Sequence, residues 1–364
     1  MNDEAADAGL DPLLDRLPRR RRGRGPNPVP RQGGDLYGPT YAALDLGTNN
    51  CRLLVARATR DSFRVIDAFS RIIRLGEGLT SSGRLSEAAI ARAFDALRVC
   101  RDKMRNRGVT RARLIATEAC RQAVNGREFL ERVRAEVGIA LEIADRETEA
   151  LLAATGCTPL IDPQADGVIL FDIGGGSSEL VRLGCEPSGY RGPPLPKIRG
   201  WTSLPVGVVT LAERHGGVTV TSDSFEAMVR EVQALLADFA AKQGFHDSER
   251  VHLLGTSGTV TTIAGVHLGL RRYDRRRVDG CWMSEGEVTS VIDALLHTSY
   301  DDRVANACIG AERADLVLAG CAILEATRRA FPCRRLRVAD RGLREGMLVQ
   351  MMREDGAWRA GASA

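Results

Sequence analysis

Lysine is almost missing from this 364-residue chain: of 51 basic residues only Lys103, Lys197 and Lys242 are lysine. Arginine suits bidentate phosphate binding, but so general a bias points first to genome composition. Against 47 acidic residues the net charge is only +4, which argues against a protein whose main task is coating nucleic acid; no sequence-specific nucleic-acid partner is expected. No C-x-x-C occurs among the nine cysteines. A disulfide framework or zinc site is therefore not expected, and the thiols read as reduced and mostly buried in a cytoplasmic protein. No apolar run reaches the roughly 18 residues of a membrane span, and no secretory h-region precedes the early arginine run. The five histidines lack metal-ligand spacing. His246-Asp247 lacks the further ligands of a metal phosphohydrolase, and no G-x-x-x-x-G-K-[ST] is present. Without a nucleophile elbow, a hydrolase here needs a carboxylate as its base.

What is present changes character along the chain. Residues 1–38 place five acids before an arginine cluster (Arg19–Arg22 and Arg24), then proline and glycine. Such a segment reads as a solvated tail more than as a tether for an anionic polymer. From Tyr41 the texture is globular. An apolar run, Tyr41–Asp45, stops at Gly47 and resumes at 51–58, which predicts strand, turn and strand. Ser86 is expected to cap a helix carrying Ala89, Ile90, Ala93, Phe94 and Leu97 at helical spacing. A strand at 114–116, a helix at 127–137 stopped by Gly138, a strand at 139–144 and a helix at 148–156 follow. Further on, the pattern predicts a helix at 222–243, a strand at 251–254 and a helix opened by the capping box Ser284/Glu287. A helix at 312–330, a strand at 336–339 and an apolar-faced helix at 342–352 complete the chain.

The opening recurs 127 residues later: LFDIGGGSSELV at 170–181 repeats ALDLGTNNCRLLV at 43–55. Each copy is an apolar strand ending in Asp, a glycine turn with small polar residues, and a second strand. Two related α/β domains facing each other are expected, at 39–152 and 153–353, with tails at 1–38 and 354–364.

Three glycine-rich turns follow apolar strands: Asp45-Leu46-Gly47-Thr48-Asn49-Asn50, Asp172-Ile173-Gly174-Gly175-Gly176-Ser177-Ser178, and Gly255-Thr256-Ser257-Gly258-Thr259. Glycine lets backbone N–H groups turn inward and approach a ligand, hydroxyls add donors, and phosphate oxygens are the natural guest. Asp45 and Asp172, each ending its strand, suggest a Mg²⁺ held partly through water, with Glu179 supplementing the site.

The ordered set ALDLGTNNCRLLVA (43–56), ATEACRQAVN (116–125), ETEA (147–150), LFDIGGGSSEL (170–180), SLPVGVVTL (203–211), GTSGTVTTIAG (255–265) and DRGLREGML (340–348) resembles the exopolyphosphatase/guanosine pentaphosphate phosphohydrolase (Ppx/GppA) family. That family lies within the actin, sugar kinase and chaperone-ATPase superfamily, and the resemblance covers residues 40 to 352. It implies two ribonuclease H-like domains around a cleft, braced by a terminal helix. It also implies Glu149 as catalytic base, Asp172 as the metal- and water-coordinating aspartate and Glu179 as a supporting acid. Gly174 to Ser177 and Thr48 to Asn50 match the phosphate loops, and Arg121 an arginine gripping the terminal phosphates. The family usually places two adjacent acids before the alanine; here Thr148 precedes Glu149, and Glu147 is the second candidate base. The chain resembles the short form without the extra C-terminal helical region of longer relatives. The expected activity is Mg²⁺-dependent exopolyphosphatase, with guanosine pentaphosphate 5′-phosphohydrolase as the alternative. An acceptor kinase or a nucleotide-gated scaffold stands further back, and a symmetric homodimer is the default assembly. The run Arg271 to Arg277, interrupted by Tyr273 and Asp274, reads as a solvated loop with Tyr273 packed inward or as an extension of a polyanion path.

Overall fold

The protein was analysed as a computed structural model, which describes residues 38–184, 193–245 and 250–358. The segment before Gly38, the dipeptide His246-Asp247 and the residues after Trp358 lie outside the described residues. The first sheet holds β1 (Thr40–Leu46), β2 (Asn50–Ala58), β3 (Phe63–Ile72), β4 (Arg111–Ala116) and β5 (Glu142–Ile143), in the order β3-β2-β1-β4-β5. The second holds β6 (Gly167–Ile173), β7 (Ser178–Gly184), β8 (Lys197–Leu204), β9 (Val251–Thr256), β10 (Trp282–Ser284) and β11 (Arg335–Ala339), in the order β10-β11-β9-β6-β7-β8. Apart from β10 the two orders are the same: three antiparallel strands, then two parallel ones. This is the expected α/β architecture of two ribonuclease H-like lobes.

Strand periodicity divides each lobe into two cores. In β1, Ala42, Leu44 and Leu46 pack beneath the helix Glu87–Asn106, while Tyr41 and Ala43 turn to the opposite face. In β6, Ile169, Phe171 and Ile173 face one core and Val168 and Leu170 the other. Asp45 and Asp172 share the phase of the second set and so emerge on the faces that look toward the neighbouring lobe. The helix Glu87–Asn106 starts where expected, with Ser86 Oγ accepting from the Ala89 N–H at 3.2 Å. It buries Ile90, Phe94 and Leu97 along one stripe.

The helix Arg146–Cys157 belongs to both lobes. Leu152 packs into the core of the first sheet; Ala150, Ala153, Ala154 and Cys157 pack into that of the second. The expected boundary at 152/153 therefore falls inside a continuous helix. Against it lies the terminal brace, Leu343–Glu354, whose Met347, Leu348, Met351 and Met352 cover β1 and β2. Glycine permits this crossing: a Cβ on Gly346 would stand 2.0 Å from the Leu152 carbonyl oxygen, and one on Gly156 2.0 Å from that of Gly342. The lobes also clasp at one rim. The Arg74 guanidinium donates to Asp315 Oδ2 and Oδ1 at 3.0 and 3.2 Å, and the Gly78 N–H to Glu213 Oε1 at 3.0 Å.

Several elements depart from the sequence reading. The strand expected at 139–144 forms only as β5, and the helix expected at 312–330 begins at Val317. Edge strands β3 and β8, whose residues are almost all half-exposed or exposed, carry no long apolar run and are not predicted from the sequence.

Candidate active site

The duplicated hairpins close in the same way. The Gly47 N–H donates to the Asn50 carbonyl at 2.8 Å, and the Gly174 N–H to the Ser177 carbonyl at 2.9 Å. Loop carbonyls are bound outward: Thr48 accepts from Gly76, Asn49 from Ile73 and Arg74, Gly174 from Val208, and Gly175 from Val209. The N–H groups of Thr48, Asn49, Gly175 and Gly176 make no hydrogen bond among the described residues. Those four donors stay free in two concave turns, the arrangement that receives an anion. The loops meet: a Cβ on Gly175 would lie 2.9 Å from Thr48 Cβ.

Both loops line a cavity of about 140 Å³ together with Asp45, Glu149, Asp172, Glu179, Ser257 and Gly258. Glu149 comes from the first turns of the helix Arg146–Cys157, where Asp145 caps by accepting from the Thr148 N–H at 2.7 Å. The helix turns Glu149 into the cleft, 7% exposed, and leaves Glu147 on the outside. Of the two candidate bases, only Glu149 lies in the cavity wall. Burial and the charge of Glu179 raise its proton affinity, which an ion pair from Arg121 Nη1 at 2.5 Å offsets only in part. Burial, then Asp172, likewise raises Glu179, although Ser203 Oγ donates to its Oε1 at 2.8 Å. Asp172 is pushed up to about 6, chiefly by burial, and burial raises Asp45 as well.

The other expected site residues divide. Thr48, Asn49, Asn50, Gly174, Gly175, Gly176, Ser177 and Ser257 line the cavity. Ser178 does not; its Oγ donates to the Val206 carbonyl at 2.7 Å and fastens the hairpin. Gly255 is also absent from the wall, because it makes room for the Phe171 ring, 2.5 Å from where a Cβ would stand. Thr256 donates to the Arg341 carbonyl at 2.6 Å and faces a neighbouring cavity. Ser257 takes φ 128° to aim its Oγ at the Thr259 and Val260 N–H groups, opening the helix Gly258–His267. Arg121 is turned from the cavity wall toward Glu118, Glu149 and the Ala144 carbonyl.

Sequence reasoning missed Arg52, Arg313 and Glu118, all of which line the cavity. A signal existed for Arg52. In the hairpin registers Asp45 pairs with Arg52 and Asp172 with Glu179, so Arg52 occupies the place of Glu179 in the duplicated segment. Glu118, 2% exposed, accepts from Arg121, Gln122 and Arg146 and holds Arg121 beside Glu149.

Among the described residues no group of three or more His, Cys, Asp or Glu side chains is arranged to hold a metal ion directly. Asp45, Asp172 and Glu179 therefore do not form a three-carboxylate cage. Asp172 and Glu179, side by side across the hairpin, still fit a hard dication that keeps most of its water. Burial is the first cause of their raised proton affinities, with the charge of Asp172 adding to that of Glu179 and the charge of Asp45 to that of Asp172.

The fold is shared with proteins of known structure. A structure of the Aquifex aeolicus Ppx/GppA family member is 29% identical, covering 87% of this chain and 98% of that one at a TM-score of 0.70. A second Aquifex aeolicus structure, of a PPX-GPPA enzyme, is 30% identical, covering 86% and 99% at 0.70. An exopolyphosphatase from Cytophaga hutchinsonii shares the fold at a TM-score of 0.77 and 23% identity, covering 86% and 98%. The sequence model of the Ppx/GppA phosphatase family matches residues 54–355. The chain belongs to the Ppx/GppA phosphatase family.

Proposed function

We propose that the protein hydrolyses the terminal phosphoanhydride bond of inorganic polyphosphate, with Glu149 as general base and Mg²⁺ as cofactor. The observation that carries this reading is one cavity lined by two loops with free N–H groups and by Glu149, Asp172 and Glu179. Membership of a phosphatase family supports phosphoanhydride hydrolysis. In the proposed reaction the loop N–H groups hold the terminal phosphate oxygens, and Arg52 and Arg313 offset charge on the bridging oxygen and the phosphate behind it. Glu149 removes a proton from water as its oxygen bonds to the terminal phosphorus. The bond to the bridging oxygen breaks, and the shortened chain departs with that electron pair. Arg121, anchored by Glu118, favours the ionised form of Glu149 against the burial that opposes it. Bound Mg²⁺ would neutralise charge on the phosphoryl oxygens, and Asp172 and Glu179 are the residues that would hold it, with Asp45 reached through water. A cytoplasmic location fits the free, mostly buried cysteines of the described chain, in which no helix is long and apolar enough to cross a membrane.

Guanosine pentaphosphate offers the same terminal bond. It stands as the second reading because a cavity of about 620 Å³ adjoins the cleft, room enough for a nucleoside. The test is phosphate release with Mg²⁺ from each substrate by wild type and Glu149→Gln. Turnover of polyphosphate abolished by the substitution supports the first reading. Turnover of guanosine pentaphosphate alone replaces it with the second, and release from neither refutes both.

A further inference from the structure

Behind the first phosphate loop the two lobes enclose a cavity of about 250 Å³, whose wall includes Asn49, Arg74, Glu213, Asp315 and Leu316. Asn49 and Leu316 line the catalytic cavity as well, so each lobe contributes one residue common to both volumes. Arg74 joins the lobes on the outer side. Its guanidinium forms the two-point ion pair with Asp315 and donates a further hydrogen bond to the Glu312 carbonyl at 3.3 Å. The turn it grips, at 312–316, is the one that sends Arg313 into the catalytic cavity.

The backbone of Arg74 is strained. At φ 46° it lies in the left-handed region, where Ser257 is the only other described non-glycine residue with a positive φ. In that conformation the Ile73 and Arg74 N–H groups both donate to the Asn49 carbonyl, at 2.8 and 3.1 Å. The carbonyl is thereby held away from the cleft, and the loop keeps its own N–H groups free. Such strain persists only where surrounding contacts over-determine it. Here they are the Asp315 pair on the side chain and, at the Arg74 carbonyl, donors from Arg92 and Glu77. The ion pair is partly exposed, its side chains 34% and 24%, so it adds little to stability. What it fixes is the placement of one lobe's loop against the other lobe's turn.

We propose that Arg74 is a positioning residue for the reaction. It locks the first phosphate loop in register with the turn that carries Arg313, so that the loop N–H groups and that guanidinium meet the same phosphate group and its bridging oxygen. The inference rests on the phosphoanhydride-hydrolase reading of the cavity and adds to it a residue outside the cavity wall. Arg74 touches neither substrate nor reacting atoms; it acts through Asn49 on one side and Asp315 on the other. Because Arg313 faces charge that develops on the bridging oxygen, an error in its placement is felt in the transition state more than in the bound ground state.

The test takes wild type, Arg74→Gly, Asp315→Asn and the double variant through steady-state phosphate release, on whichever of the two substrates wild type hydrolyses, together with thermal melting and amide hydrogen exchange. Glycine adopts the left-handed backbone freely, so Arg74→Gly removes the side chain and keeps the turn. Each single variant is expected to lower kcat about tenfold or more, to change KM by less than about threefold, and to melt within about 4 °C of wild type. The double variant should lose no more than the worse single one, because the two side chains act as a pair. In the substrate-free protein Asp315→Asn, in one lobe, should speed exchange of the Ile73 and Arg74 amides, in the other, about tenfold or more. Unchanged kcat in both single variants, losses that multiply in the double variant, or a loss confined to melting temperature overturns the proposal. Should wild type hydrolyse neither substrate, the activity reading falls by itself. Hydrogen exchange then decides the coupling, and unchanged protection of Ile73 and Arg74 in Asp315→Asn refutes it.

Discussion

The two hairpins of this protein carry the same hydrogen bonds and different charges. In one lobe the strand-ending Asp45 faces Arg52; in the other Asp172 faces Glu179. The difference teaches how a duplicated scaffold can divide labour. Arg52 forms no ion pair with Asp45 among the described residues and only partly opposes the burial that raises the proton affinity of Asp45, which leaves a cation in that lobe for an anionic ligand. Two carboxylates opposite each other repel, which suits a lobe that recruits a cation. The loops differ in a matching way: Thr48 occupies the position that Gly175 holds in the other lobe, and the two residues touch. One partner of that contact has to be small.

The comparison can be broken at several strengths. The largest effect is expected from Glu149→Gln, since the proposed base stands on the helix shared by both lobes. Loss of general-base catalysis should lower kcat by about 10²–10⁴-fold with a smaller effect on KM, read in steady-state phosphate release. Next is Arg52→Glu, which gives the first hairpin the charge pattern of the second. It places a third acid beside Asp45 and Asp172, and kcat/KM should fall by about 10²-fold or more, well beyond the fall in Arg52→Gln. Gly175→Thr makes the loops alike and forces a side chain against Thr48. Overpacking of this kind should cost about 1–3 kcal/mol, measured by denaturant unfolding. The smallest effect is a pH dependence. Asp172 titrates at about 6 in the folded protein against 3.8 for an ordinary aspartate. The folded state holds that proton more tightly, so its contribution to stability is full below 3.8 and is lost as pH rises to about 6. The melting temperature without metal should decline over that window, and added Mg²⁺ should raise it more at pH 7 than at pH 4.

The sequence disclosed the scaffold better than the site. Asp45, Asp172 and the two loops were legible because each ends an apolar run that only a buried central strand explains, and because the segment recurs. Glu149 came from the family resemblance; its burial depends on a helix shared by two sheets, which no local pattern announces. Arg52 was visible in the repeat but reads as an ordinary strand charge until the register sets it opposite Asp45. Arg313 precedes a helix far along the chain, and only the packing of the lobes brings it to Asp45. Ser178 and Gly255 sit in motifs that look like ligand loops yet fasten a hairpin and make room for Phe171. Composition cannot separate those tasks, because the same small residues serve both.

The central claim is that the two loops share the phosphates, whereas the proposed Mg²⁺ is held directly by the second lobe alone. Calorimetric titration of Mg²⁺ into wild type, Asp172→Asn and Asp45→Asn tests it most directly. The account predicts that Asp172→Asn weakens Mg²⁺ binding about tenfold or more, whereas Asp45→Asn, whose carboxylate would meet the ion only through water, weakens it by less than about threefold. Equal losses in the two variants, or a larger loss in Asp45→Asn, would contradict the division between the lobes.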